Sequence, residues 1–259
     1  MKIARWAARL GGASVALLGL GIGLVRAKRA DASDLEQLKP GIYRVRNFIS
    51  DVYVARAGSD VLLFDAGLDP EGRAIDAALG AARATRGDVT HVFLTHSHAD
   101  HVAGAGLFPH ARVHIGAADV AMLAQREPAR PLRPRLFGAV VGSSPHTADA
   151  LLRQREVIPV GGGKEVVALP FPGHTKGSYL FWFDGVLFTG DSILRKGERL
   201  SPAIEKDSLD IARNHASIRG LPAALGPLEV TLVCTGHMGC ARSRDAAQLV
   251  SELADRVED

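Results

Sequence analysis

Three histidines and an aspartate fall within six residues at His96-Ser97-His98-Ala99-Asp100-His101, directly after the apolar run Val92-Phe93-Leu94. A strand that buries itself and then ends on such a cluster has little structural use for it. The fold must therefore bring this edge to a place where imidazoles and carboxylates are needed. Three later pieces have the same form. His174 stands in Pro-Gly-His-Thr after the run Val166 to Leu169. Asp191 stands in Thr-Gly-Asp after a hairpin turned at Asp184-Gly185. His237 stands in Thr-Gly-His after Val230 to Val233. Each lies just past the C-terminal end of an apolar strand, which is where open α/β sheets place their chemistry.

Imidazole nitrogen and carboxylate oxygen suit Zn²⁺, Fe and Mn²⁺. Five histidines and two aspartates are enough for two divalent ions while each keeps room for water or substrate. Two ions about 3.5–4 Å apart need a bridging oxygen, and a carboxylate supplies it. With a bridging hydroxide, such a centre keeps a net charge of about +1, which favours an anionic intermediate. The expected cofactor is a pair of divalent ions, zinc ahead of iron or manganese. The chain has ten histidines. His91, His110, His114, His146 and His215 lack a partner pattern and read as surface or satisfied core residues.

Short strands are expected at Ile42 to Val45, Val52 to Ala55, Val61 to Phe64 and Val113 to Ile115. Ile75, Ala78, Leu79 and Ala82 mark a helix, as do Ala246, Leu249, Val250, Leu253 and Val257. Strands alternating with helices, and some hairpins, imply an α/β protein with a mixed sheet covered by helices. With 259 residues, 47% apolar and 23% charged, the chain can build a large core and is not of disordered composition.

The net charge of +3 misleads, because residues 1–30 hold six basic side chains and no acid, leaving −3 on the rest. No nucleic-acid partner is expected; a small-molecule substrate is. Leu10 to Val25 is an uncharged run of sixteen residues between basic flanks. It reads as a signal anchor or signal peptide within 1–30, with a membrane contact through residues 10–25. The catalytic domain is then expected outside the cytoplasm. Residues 31–40 read as a linker and 41–259 as the catalytic domain. Residues 126–163, with four prolines before residue 146 and several arginines before a Gly-Gly-Gly stop, read as an insertion, helical around Ala148 to Gln154. Cys234 reads as a small core residue and Cys240 as a free thiol near the site rim.

On the His cluster and the three Gly-ligand motifs in this order, the chain resembles the metallo-β-lactamase superfamily of hydrolases, across nearly all of residues 41 to 257. The resemblance implies a four-layer αβ/βα sandwich of two similar halves, with the metals at one edge. It implies that His96, His98 and His174 bind one ion, that Asp100, His101 and His237 bind the other, and that Asp191 bridges them. Asp65, in Asp65-Ala66-Gly67 after its strand, would support the ligands from behind. It further implies a metal-bridging hydroxide that attacks an ester, thioester or lactone, with Asp100 as a proton shuttle.

Asp191 separates the chain from β-lactamases of the superfamily, which lack the bridging aspartate. The full second set separates it from the single-iron persulfide dioxygenases, the alternative oxidoreductase reading. A catalytically silent, membrane-tethered metal-binding protein is the non-enzymatic alternative. Hydroxyacylglutathione hydrolases share the ligand set but add a helical glutathione-gripping domain, whereas 22 residues follow His237 here. Leu194 stands where acyl-homoserine lactonases tend to carry Tyr.

Overall fold

The computed structural model describes residues 34–69, 71–141, 144–241 and 246–257. A seven-stranded sheet runs in chain order. Its strands are β1 (Glu36–Lys39), β2 (Ile42–Asn47), β3 (Ser50–Ala57), β4 (Asp60–Phe64), β5 (Val89–Phe93), β6 (Arg112–Gly116) and β7 (Ala150–Leu152). The first four pair antiparallel and the last four parallel. A second sheet has the order β15-β14-β11-β10-β9-β8. It contains β8 (Glu156–Val160), β9 (Lys164–Pro170), β10 (Tyr179–Phe183), β11 (Val186–Phe188), β14 (Leu232–Cys234) and β15 (Cys240–Ala241). Between β11 and β14 lies a separate hairpin of β12 (Ile193–Lys196) and β13 (Arg199–Pro202). The helices are α1 (Arg73–Ala81), α2 (Ala99–Val102), α3 (Val120–Leu123), α4 (Leu132–Val141), α5 (Ile211–Leu225) and α6 (Ala246–Arg256).

The strand period of two sorts apolar residues into three layers of core. On β4, Leu62 and Phe64 face the second sheet, while Val61 and Leu63 face the helix layer beneath. Strand β9 repeats this, with Val166 and Ala168 inward and Val167 and Leu169 outward. Strands buried on both faces read as unbroken hydrophobic runs, as these do. Phe64 and Phe188 stack across the inter-sheet space with ring centroids 3.9 Å apart. Each such side chain contributes about 2–3 kcal/mol by leaving water. The stripe Ala74, Ile75, Ala78 and Leu79 of α1 covers the first sheet. Ile218, Leu221 and Leu225 of α5, with Leu249, Val250 and Leu253 of α6, cover the second. The molecule is the expected four-layer αβ/βα sandwich.

Several expectations need correction. The membrane-anchored, extracytoplasmic placement is set aside. Among the described residues no helix is long and apolar enough to cross a membrane. The longest, α5, has 15 residues and buries one face only, against about 20 apolar residues for a span. The run at residues 10–25 lies outside the described residues. Cys240 is not a free thiol: it is disulfide-bonded to Cys234, because β14 and β15 pair these two residues directly opposite one another. The linker at 31–40 is in part a strand, since β1 pairs with β2 and buries Leu38. The helix expected around 148–154 is instead β7, whose Ala150–Leu152 extends the parallel ladder of β6; the helix of this segment lies earlier, at α4. The hairpin of β12 and β13 occupies a stretch that carried no strand signal.

Candidate metal centre

Every strand that delivers a candidate ligand ends at the same edge. His96 and His98 follow β5, Asp100 and His101 open α2, His174 follows β9, Asp191 follows β11 and His237 follows β14. Backbone bonds stitch the edge together: Tyr179 N donates to Thr95 O at 2.8 Å, Gly236 N to Gly190 O at 2.8 Å and Asp51 N to Gly236 O at 2.7 Å. The glycine before two of the ligands is a steric necessity. A Cβ on Gly236 would stand 2.4 Å from Asp191 Oδ1, and one on Gly190, at φ +50°, would stand 2.3 Å from Thr95 Oγ1.

Three triplets of potential ligand atoms lie within 4.8 Å: His96, His98 and His174; Asp100, His101 and His237; and His96, His101 and Asp191. The sequence-predicted residues therefore converge, all seven of them. Hydrogen-bond accounting orients the rings. Thr95 Oγ1 lies 2.9 Å from Asp65 Oδ2 and spends its one proton on that carboxylate. His96 Nδ1, 3.1 Å from the same hydroxyl, is then the donor, and its Nε2 is bare. His101 Nδ1 donates to Asp65 Oδ2 at 2.8 Å. His237 Nδ1 donates to Ile49 O at 2.7 Å. Ser208 Oγ donates to Ile204 O at 2.8 Å, so His174 Nδ1, 3.2 Å away, donates to Ser208. Four Nε2 atoms thus point inward. His98 presents the other nitrogen: its Nδ1 lies 3.0 Å from His174 Nε2.

The arrangement fits divalent ions. His96 Nε2, His98 Nε2, His101 Nε2 and Asp191 Oδ1 are buried and have no hydrogen-bond partner among the described residues, a costly condition for isolated protein atoms. His98 Nδ1 and His174 Nε2 face one another at 3.0 Å, a separation that requires a proton or a cation between them. Asp191 stands centrally, with Oδ1 3.4 Å from His101 Nε2 and Oδ2 3.1 Å from His237 Nε2 and 3.8 Å from His174 Nε2. Asp100 Oδ2 is 3.3 Å from His237 Nε2.

The charges divide the site in two. Burial holds His96 well below the ordinary imidazole range, and burial with His98 beside it lowers His174 to about 3. Burial also opposes the charge on His101 and His237, but Asp191 and its neighbouring carboxylates outweigh it. His101 is held well above its usual value and His237 is raised to about 9. Asp191 is held far below the usual carboxylate range: burial opposes this, but His237 and His101 overcome it.

Asp65 lies behind the candidate ligands, at φ +59°, accepting from Thr95 N, Thr95 Oγ1 and His101 Nδ1. Two further buried aspartates brace the loops and were not anticipated. Asp119 accepts from Ser97 N, Ser97 Oγ, Thr175 Oγ1 and Gly177 N, tying the loop of His96 and His98 to that of His174. Its signal was available: it follows β6 as His96 follows β5. Asp51 pairs with Arg44 and Arg46 at 2.9 Å each and accepts from Gly239 N at 2.7 Å, which holds the turn after His237. His91 and His114 stay outside the site and meet each other at 3.0 Å; His110 is exposed.

This geometry agrees with the family comparison, in which residues 45–237 match the model described as Metallo-beta-lactamase superfamily. The chain belongs to the metallo-β-lactamase superfamily. Among curated relatives, a hydroxyacylglutathione hydrolase of Acidiphilium cryptum is 34% identical over 62% of this chain and 55% of its own length. The probable metallo-hydrolase YybB of Bacillus subtilis is 26% identical over 70% of this chain and 76% of its own. The uncharacterized protein YobT of Bacillus subtilis is 31% identical over 58% and 64% respectively. The chain spans about half the length of the hydroxyacylglutathione hydrolases it matches. Among solved structures, a β-lactamase from Chitinophaga pinensis superposes with a TM-score of 0.64 at 20% identity, covering 88% of this chain and 92% of that one. A metallo-β-lactamase family protein from Thermus thermophilus does so with 0.63 at 24%, covering 85% and 80%. These structural likenesses speak for the fold of the superfamily member, and for that alone.

Proposed function

We propose that this chain is a hydrolase that holds two divalent ions, zinc first, and cleaves an ester, thioester or lactone bond in a small molecule. In this reading His96, His98 and His174 hold one ion, Asp100, His101 and His237 hold the other, and Asp191 reaches both. The observation that carries it is the convergence of seven metal-ligating side chains around Asp191, with buried His96 Nε2, His101 Nε2 and Asp191 Oδ1 lacking hydrogen-bond partners among the described residues. Ions bound there supply Lewis acidity and a water acidic enough to react near neutral pH. The chain's own part is positional. Asp65, Thr95, Ser208 and the carbonyl of Ile49 fix the rings of His101, His96, His174 and His237 so that Nε2 faces inward. Asp100 lines the open cleft as well as touching His237, so its carboxylate is placed to carry a proton to a leaving group. The hydrolases among the relatives support the reading, and a complete second triplet disfavours a single-iron oxygenase.

The experiment is metal analysis of the full chain together with a panel of esters, thioesters and lactones, repeated on Asp191→Ala. We expect turnover by the parent and a loss of at least a hundredfold in Asp191→Ala, with reduced metal content. A variant that kept both its metals and its turnover would overturn the assignment. Oxygen consumption on a persulfide by a one-iron protein would favour the oxygenase.

A further inference from the structure

The floor of the site opens into a cleft of about 310 Å³. Its walls are Ile49, Pro134, Phe137, Leu194, Ile204 and Met238. These come from the β2–β3 turn, from α4, from β12, from the loop ahead of α5 and from the residue after His237. Single exposed hydrophobics need no explanation. Here, however, Ile204 and Met238, 46% and 54% exposed, converge on one cavity with Phe137 and Leu194. Five separate stretches of chain would not present apolar side chains to the same space by chance alone.

The charge on the walls points the same way. Arg133 and Asp207 face each other across the cleft and are doubly hydrogen-bonded at 2.8 and 3.1 Å, so each neutralises the other. Arg195 is turned onto Met238 O through Nε at 2.8 Å. Lys176 lines a different small cavity, beside Asp119 and Thr175. An ionic arm of a substrate would therefore find no unpaired arginine or lysine among the described lining residues of the cleft. A cavity of 310 Å³ matches the liquid volume of roughly ten waters at about 30 Å³ each, room for an arm of medium length.

Resting on the hydrolase reading for what happens at the floor, we infer that the substrate carries an uncharged apolar arm of medium length, six to eight carbons or an aryl group of that size. The arm lies along Phe137, Leu194, Ile204 and Met238, under the Arg133–Asp207 clasp. A peptidic thiol arm bearing carboxylates is not what this cleft selects.

The test reads binding, so that it does not depend on turnover. The zinc-loaded full chain is titrated calorimetrically with acetate, butyrate, hexanoate and octanoate, and with S-methylglutathione. Affinity is expected to rise about three- to fourfold per methylene up to hexanoate or beyond. S-methylglutathione should bind no more tightly than acetate. Leu194→Asp and Phe137→Ser, two substitutions on different elements, should each flatten the series. An affinity independent of chain length, no binding at all, or S-methylglutathione binding more tightly than octanoate would overturn the inference. The two readings fail separately. A steep series in a protein inactive on every ester, thioester and lactone sinks the hydrolase and leaves the apolar arm. Turnover with a flat series does the reverse.

Discussion

Four of the five imidazoles in the centre are oriented by a different neighbour each, and those neighbours decide which nitrogen is offered. Asp65 is the hub, because it accepts from His101 directly and from the Thr95 hydroxyl that in turn receives His96 Nδ1. Asp65→Asn keeps the side-chain size and tolerates the left-handed backbone. It nevertheless replaces one acceptor oxygen by a donor facing His101 or Thr95. Metal affinity, measured by competition with a chromophoric chelator, should fall about 10–100-fold; unchanged affinity would remove Asp65 from the account. The convergence of the candidate ligands was legible in the sequence, because three histidines and an aspartate in six residues after a strand have few other uses. Their braces were less so. Asp119, Asp51 and Ser208 are ordinary residues in ordinary contexts, and only folding brings Ser208 to His174 or Asp51 to the turn beyond His237.

At the scale of elements, the apolar runs that became β4 and β9 to β11 were readable because these strands are buried on both faces and are almost wholly apolar, and β2 was readable because apolar Ile42 and Val45 mark its buried side. The Asp184-Gly185 turn was readable too, because both residues need positive φ (51° and 81°), as a two-residue hairpin demands. Strand β7 was not: Ala150-Leu151-Leu152 suits a helix equally well, and its strand state depends on an open ladder edge at β6. The disulfide also depended on pairing, since six residues of separation say nothing until β14 and β15 face one another. That bond closes the loop carrying His237. Cys240→Ser should cost about 2 kcal/mol of unfolding free energy, by analogy with short closed loops, and should loosen metal held through His237 more than metal held through His174. Chemical denaturation and metal titration with and without reductant check both parts. Equal stability of the two proteins would show that the strand pairing alone holds the loop.

Across the whole molecule, the first sheet brings four of the candidate ligands and the second brings three to a shared edge, and the two triplets differ in charge before any ion arrives. In the metal-free protein His101 and His237 are raised, His237 to about 9 from 6.5. Stability gained from their protonation is complete below the ordinary imidazole value and is lost as pH climbs through the raised values. The metal-free protein should therefore lose stability from about pH 6.5 to 9. Ions require both rings neutral, so binding releases protons and the stabilisation by metal should grow over the same window. Melting temperatures with zinc and with chelator, recorded at the two ends of that window, should diverge. A constant gap would contradict the charge assignment.

The most direct measurement of the central claim is a count of ions per chain by native mass spectrometry of the zinc-reconstituted protein. The account predicts two ions for the parent chain, one for His174→Ala and one for His237→Ala, each variant losing a different ion. A parent chain that never exceeds one ion, or variants that both keep two, would contradict it.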